Sequence, residues 1–182
     1  MKISETAEVY ARERYGQVTR PDGTPHVEHA RGVVTRLKGL GISDEEIIAA
    51  AWLHGILSHT STSFDELDSR FGSRVSVLVL ALFSDPKIPR DQRDRQYVRQ
   101  LRESPDEAKL IKICDISTSL KELKGSSLSR TKKARQARKE MHYLAAMSRE
   151  ISDLSMHYPA ILNIMDGINE YASEHGQRRV LG

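Results

Sequence analysis

Apolar residues recur at helical spacing behind a series of helix-start signals. After Thr24-Pro25, where a capping hydroxyl precedes a proline at the first helical position, they fall at Val27, Ala30, Val33, Val34 and Leu37, and the run ends near Gly39 and Gly41. Ser43-Asp44-Glu45-Glu46, Ser63-Phe64-Asp65-Glu66 and Ser104-Pro105-Asp106-Glu107 share the S-x-x-E form, in which serine and glutamate satisfy exposed helix amides reciprocally. Behind Ser63, Leu67 and Phe71 share a face and Gly72 closes the run. Val75 to Phe83 is rich enough in β-branched residues to suit a strand, but one strand has no partner here, so a helix is expected. The pattern predicts an all-α chain.

The segment behind Ser43 differs, because Ala49 to Leu57 is apolar on every side except at His54 and Gly55. A helix apolar all round is a buried, central one. A histidine there needs a hydrogen-bond or metal partner, since an unpaired polar group in a core is costly. Glycine inside a helix costs about 1 kcal/mol relative to alanine, so Gly55 breaks a local rule at the same place. His26 and His29 fall in the first turn behind Pro25, and Asp115 lies beside the stripe Leu110, Ile113, Cys114, Ser117. Two histidines and a carboxylate from separate helices form a divalent-metal set when a bundle brings them together. For any one of them a hydrogen-bonded core residue is the commoner arrangement.

Composition narrows the chemistry. The 182 residues are 38% hydrophobic and 29% charged with both signs interspersed, which fits one ordinary globular domain and excludes disordered and fibrous classes. The longest apolar runs fall far short of the roughly 18 to 20 residues that span a bilayer, and the chain opens without an apolar signal segment, so a cytoplasmic protein without a membrane span is expected. The single cysteine, Cys114, excludes an internal disulfide and cysteine-based zinc sites, so any metal must be held by histidine and carboxylate, and Cys114 itself is read as packing. The net charge of +3 hides two basic stretches, 130 to 139 and 87 to 102, which are either solvated helix faces or an anion-binding rim. Nucleic acid is disfavoured, because no aromatic residues interleave these bases and no recognisable module is present. Met141, Met147, Met156 and Met165 are expected to fill the core of the C-terminal helices.

Four ordered blocks carry a resemblance. Gly16-Gln17 followed by Thr19-Arg20-Pro21-Asp22-Gly23-Thr24-Pro25-His26-Val27-Glu28-His29 resembles the GQ-x-RK-x-G-x-PY-x-x-HP signature of the hydrolase domain of RelA/SpoT homologues. Ala49 to Thr60 is similar to that family's AALLHD-x-x-EDT, Thr62 to Leu67 with Phe71-Gly72 to its T-x-EEI…FG, and Ala108 to Asp115 to its AKL-x-KLAD. The resemblance implies an HD-superfamily helical bundle that removes the 3′-pyrophosphate of guanosine tetraphosphate, usually with manganese. It places the motif-bearing core at about 3–123 and further helices at about 130–175, within a single domain over 1–182. Carried over, the metal ligands are His29, His54 and Asp115. Arg20 takes the position that packs on or near the guanine, and Ser119 that of the family's asparagine. Lys109 and Lys112 lie beside Asp115, where they can meet phosphate, although exposed helix lysines are commoner.

The departures lie at the chemistry. Gly55 stands where the family has the HD aspartate, and Ser58-His59 where it has a glutamate-aspartate pair. His26 and Ala30 replace the family tyrosine and proline, and Val18 is a one-residue insertion. Nearby carboxylates hold and deprotonate the metal-activated water in such a reaction. Their loss implies impaired or lost hydrolysis; the alternative is a catalytically inactive nucleotide-binding or regulatory domain on the same fold. His59 is the candidate replacement base, but in a continuous helix it points about 140° away from His54. It reaches the site only if the helix breaks, as the Ser58 and Thr60-Ser61-Thr62-Ser63 run allows. The expected partner is a guanine nucleotide alarmone or a related phosphorylated nucleotide.

Overall fold

The computed structural model describes residues 1–181. Among them eleven helices form: α1 (Ile3–Tyr15), α2 (His26–Gly39), α3 (Glu45–Leu53), α4 (Ile56–His59), α5 (Phe64–Phe71), α6 (Ser73–Ala81), α7 (Arg90–Glu103), α8 (Asp106–Gly125), α9 (Arg130–Ala146), α10 (Ser148–His157) and α11 (Ile161–Glu174). The β-branched stretch after Gly72 is helical, and no strand forms among the described residues.

The all-apolar helix is central, as its sequence predicts. Every residue of α3 from Ile47 to Leu53 is buried, and α3 packs against α1, α2, α6 and α8. Ala49, Ala50 and Ala51 are fully inaccessible, and their small side chains let neighbouring backbones approach closely. The second buried axis is α8, which α2 and α11 flank. Its contact with α2 depends on Gly32: a Cβ there would stand 2.7 Å from Thr118 Cγ2. Gly32 is one turn from His29 and Thr118 one turn from Asp115, so this close approach sets the separation of those two side chains.

The helix starts differ in detail from the sequence pattern. Asp44, not Ser43, caps α3, accepting from the amides of Glu46 and Ile47 at 2.9 and 3.2 Å. Ser63 caps α5 as expected. Ser104 ends α7 and its hydroxyl donates to Leu101 O at 2.6 Å, leaving Pro105 before α8. Pro25 likewise stands just outside α2. Between α1 and α2 the chain folds back through Asp22-Gly23: Arg20 N donates to Thr24 O at 2.8 Å, and Gly23 takes φ 91°, which glycine allows. Met141, Met147 and Met165 are buried, whereas Met156 is 72% exposed because it lies on the outer face of α10.

Candidate functional site

Helix geometry delivers the candidate residues to one place. The continuous helix expected through Gly55 is interrupted: α3 ends at Leu53 and α4 begins at Ile56, so Gly55 occupies a junction instead of a helix interior. The break falls before Ser58, earlier than the serine-threonine run, and it turns His59 back to the side of His54. His54, at the end of α3, donates Nδ1–H to Ala51 O at 2.7 Å, since a carbonyl only accepts. Its Nε2 is thereby left to face Asp115 Oδ1 at 3.8 Å. From α2, His29 Nε2 lies 2.9 Å from the same oxygen, and His29 Nδ1 lies 2.9 Å from Glu122 Oε2.

Charge settles these groups into defined states. Burial alone would raise Asp115, but Lys112 and the hydrogen bond from His29 hold it well below the usual carboxylate range. Burial alone would lower His29, but the hydrogen bonds to Asp115 and Glu122 hold it above its ordinary value, with one ring nitrogen facing each carboxylate. Burial pushes His54 down to about 4 and keeps it neutral. Burial, and then the charge of His59 and Arg20, pushes His26 down to about 3. Lys112 donates to Asp115 Oδ2 at 2.8 Å and lies over the rings of Tyr97 and Tyr143. Burial would lower it, yet Asp115, Tyr97 and Glu140 outweigh that and hold the ammonium charged.

These groups surround a cavity of about 120 Å³. His29, His54, His59, Arg20, Lys112 and Asp115 all line it. Ser119 does not: it is buried in α8 and its hydroxyl accepts from Arg20 Nη2 at 2.8 Å and donates to Asp115 at 3.4 Å, so it braces the site from behind. Lys112 reaches the wall with its ammonium already engaged by Asp115. The basic stretch 130 to 139 contributes nothing to the wall, and 87 to 102 contributes Tyr97 alone, so neither forms the rim. Sequence reasoning missed Glu122, Tyr15 and Tyr97. Glu122 was findable, because Asp115, Ser119 and Glu122 fall at i, i+4 and i+7 on one helix face.

His29, His54 and Asp115 can hold a metal ion: one ligand atom from each lies within 4.8 Å of the others. Atoms about 2.0–2.2 Å from one ion stand roughly 3 to 3.5 Å apart, close to the 2.9 and 3.8 Å found here. The unprotonated Nε2 of His54 facing a carboxylate oxygen also favours a cation between them. Glu122 behind His29 supplies the outer carboxylate that commonly orients a ligating histidine.

Residues 7–179, which include His29, His54 and Asp115, match the HD domain family. The chain belongs to the HD domain family, and its relatives are the MESH1 and SpoT type of pyrophosphohydrolase. It is 35% identical over 122 residues to the guanosine-3′,5′-bis(diphosphate) 3′-pyrophosphohydrolase MESH1 of Danio rerio, covering 66% of each chain. It is 35% identical to the Homo sapiens MESH1 over 67% of this chain and 69% of that protein. The pyrophosphohydrolase of Aquifex aeolicus is 31% identical over 72% of this chain, which is 19% of that longer protein. The matched stretch thus spans just under two thirds of the zebrafish relative. A solved metazoan orthologue of SpoT, described as hydrolysing ppGpp, has the same fold, with a TM-score of 0.74 at 22% identity over 95% of this chain and 93% of that one.

Proposed function

We propose that this chain binds guanosine tetraphosphate, or a closely related phosphorylated guanine nucleotide, in the cavity beside Asp115, and that it releases the 3′-pyrophosphate much more slowly than relatives with complete carboxylates. The observation that carries the reading is the convergence of His29, His54 and Asp115 on a cavity that also exposes Arg20. His29, His54 and Asp115 would hold a divalent ion, for which the resemblance implies manganese; when bound, it polarises a phosphoryl oxygen and acidifies water. The chain's own residues do the rest. Asp115 is fixed by Lys112 and Ser119, His29 is oriented by Glu122, and Arg20, tied to Ser119, offers a cationic wall to the nucleotide.

The degenerate positions set the rate. No carboxylate stands at 55, 58 or 59 to take a proton from water, and a positioned general base contributes about 10²–10⁴-fold. Pyrophosphate release from the alarmone with added manganese, compared with a carboxylate-complete relative, is expected to fall by about that factor. The nucleotide is expected to raise the melting temperature, and neutralising Arg20 to abolish the rise. Turnover equal to the relative's overturns the impairment; neither shift nor turnover overturns the nucleotide. The same missing carboxylates support the second reading, a binding-only regulatory domain, in which the nucleotide stabilises the protein and is recovered intact. A single cytoplasmic domain over 1–182, with its core at about 3–123 and further helices at about 130–175, is part of the proposal; cell fractionation and limited proteolysis test it. No helix among the described residues is long and apolar enough to cross a membrane.

A further inference from the structure

The cavity beside Asp115 is too small for a whole nucleotide. Its volume is about 120 Å³, whereas sites that enclose a drug-sized ligand run to about 300–1,000 Å³. Phosphoryl groups fit inside, and the nucleoside that carries them has to lie across the mouth. Exposure locates that mouth. Of the twelve residues lining the cavity, Ser58 and His59 alone are exposed, the others being buried or half-buried. Both belong to the short helix α4, behind the break at Gly55.

His59 is also the outer rung of a ladder of rings. Tyr15 and His26 lie with centroids 5.4 Å apart and planes at 18°, and His26 and His59 with centroids 4.0 Å apart and planes at 34°. Tyr15 and His26 are buried, so the core fixes the two inner rungs and supports the third. Gly55 leaves the outer ring its room, since a Cβ there would stand 3.3 Å from His59 Cδ2. His26 covers one face of the His59 ring, yet the imidazole remains exposed at the cavity mouth, a flat surface of the kind on which nucleobases stack. Arg20, where the resemblance puts the guanine, is less available: its side chain is 18% exposed, Nη2 donates to Ser119 and Nε lies 3.5 Å from Glu122. We infer that the base of the nucleotide stacks on His59, extending the ladder outward, while its phosphates enter the cavity beside Arg20. The inference rests on the nucleotide reading above and moves the base from Arg20 to α4. It makes His59 a residue that binds and orients the substrate, and not the proton acceptor expected from the sequence.

Calorimetric titration of the intact protein with guanosine tetraphosphate, and with inorganic pyrophosphate as the base-free control, provides the test. Stacking of one base is worth about 5- to 150-fold in affinity. His59→Ala is therefore expected to weaken guanosine tetraphosphate at least about fivefold and to leave pyrophosphate unchanged. His59→Phe keeps a flat ring without a nitrogen and is expected to restore the affinity of the parent, which neither a ligating nor a proton-accepting imidazole would allow. Melting curves report that both variants are folded. An unchanged guanosine tetraphosphate affinity in His59→Ala, an equal loss for pyrophosphate, or no recovery in His59→Phe overturns the stacking role while leaving nucleotide binding in place. Failure of guanosine tetraphosphate to bind the parent overturns both this inference and the nucleotide reading beneath it.

Discussion

Lys112→Met tests the electrostatics of the site most directly. The ammonium donates to Asp115 Oδ2 at 2.8 Å, lies 5.7 and 5.5 Å from the ring centres of Tyr97 and Tyr143, and is buried. Methionine keeps the apolar stem and removes the charge. Breaking a buried ion pair from one side costs about 3–5 kcal/mol, because the charge left behind is uncompensated. His29 remains 2.9 Å from Asp115 as a second hydrogen-bond partner, so the loss should fall at the lower end, about 3 kcal/mol. For a chain of this length that corresponds to a fall in Tm of roughly 6–12 °C. Urea unfolding at neutral pH, with a constant m-value, measures the free energy. Adding Asp115→Asn removes both charges, and the double variant should be more stable than the sum of the singles by more than about 1 kcal/mol. A single variant within about 1 kcal/mol of the parent, the range of an exposed pair, or strict additivity in the double, would refute the buried-pair argument.

Four further outcomes follow from the same geometry. His54 stays neutral in the fold down to about 4 against an ordinary value of 6.5, so the unfolded chain binds the extra proton between those limits. Stability should fall by roughly 3 kcal/mol from this residue as pH drops from 6.5 to 4, and His54→Gln should flatten that limb in urea titrations. His29 is raised and has the opposite sign: its contribution is complete below 6.5 and disappears as pH rises through its folded value, so His29→Gln should lower stability below 6.5 without changing the slope there, and should remove the loss of stability that the parent shows as pH rises above 6.5. Glu122→Gln removes the carboxylate behind His29 and should weaken metal binding by about 10–100-fold in calorimetry; an unchanged affinity would show that His29 needs no such support. Gly32→Ala should destabilise by about 1–3 kcal/mol through overpacking against Thr118, despite alanine's better helix propensity, and Thr118→Ser should relieve it; a net gain in stability from Gly32→Ala alone would show that α2 and α8 are not held apart by that contact.

α2, α3 and α5 were legible because each carries apolar residues at helical spacing behind a local start signal, as Ser63 to Gly72 does for α5. The central place of α3 was legible because no polar face remained from Ile47 to Leu53. What misled was local ambiguity: Ser43 and Asp44 are both good caps, and only the chain direction into α3 selects Asp44. Ser104 has the form of a start signal but serves the end of α7, since a capping-box spacing does not reveal which neighbouring helix claims the hydroxyl.

At the site, the sequence by itself determined the inventory: two histidines and an aspartate in recognisable blocks, and carboxylates missing at 55, 58 and 59. Residue identity is a local property, so it can be read along the chain. The tertiary structure decided what those residues do to one another. It set Lys112 on Asp115 under two tyrosines, turned Ser119 away from the cavity, and put Glu122 behind His29. It also broke the helix at Gly55, bringing the His59 ring to the cavity wall beside His54. Such pairings depend on the crossing of α2, α3 and α8, and on one close approach at Gly32. Distances of a few ångströms between side chains far apart in sequence are fixed by packing, which no local pattern encodes.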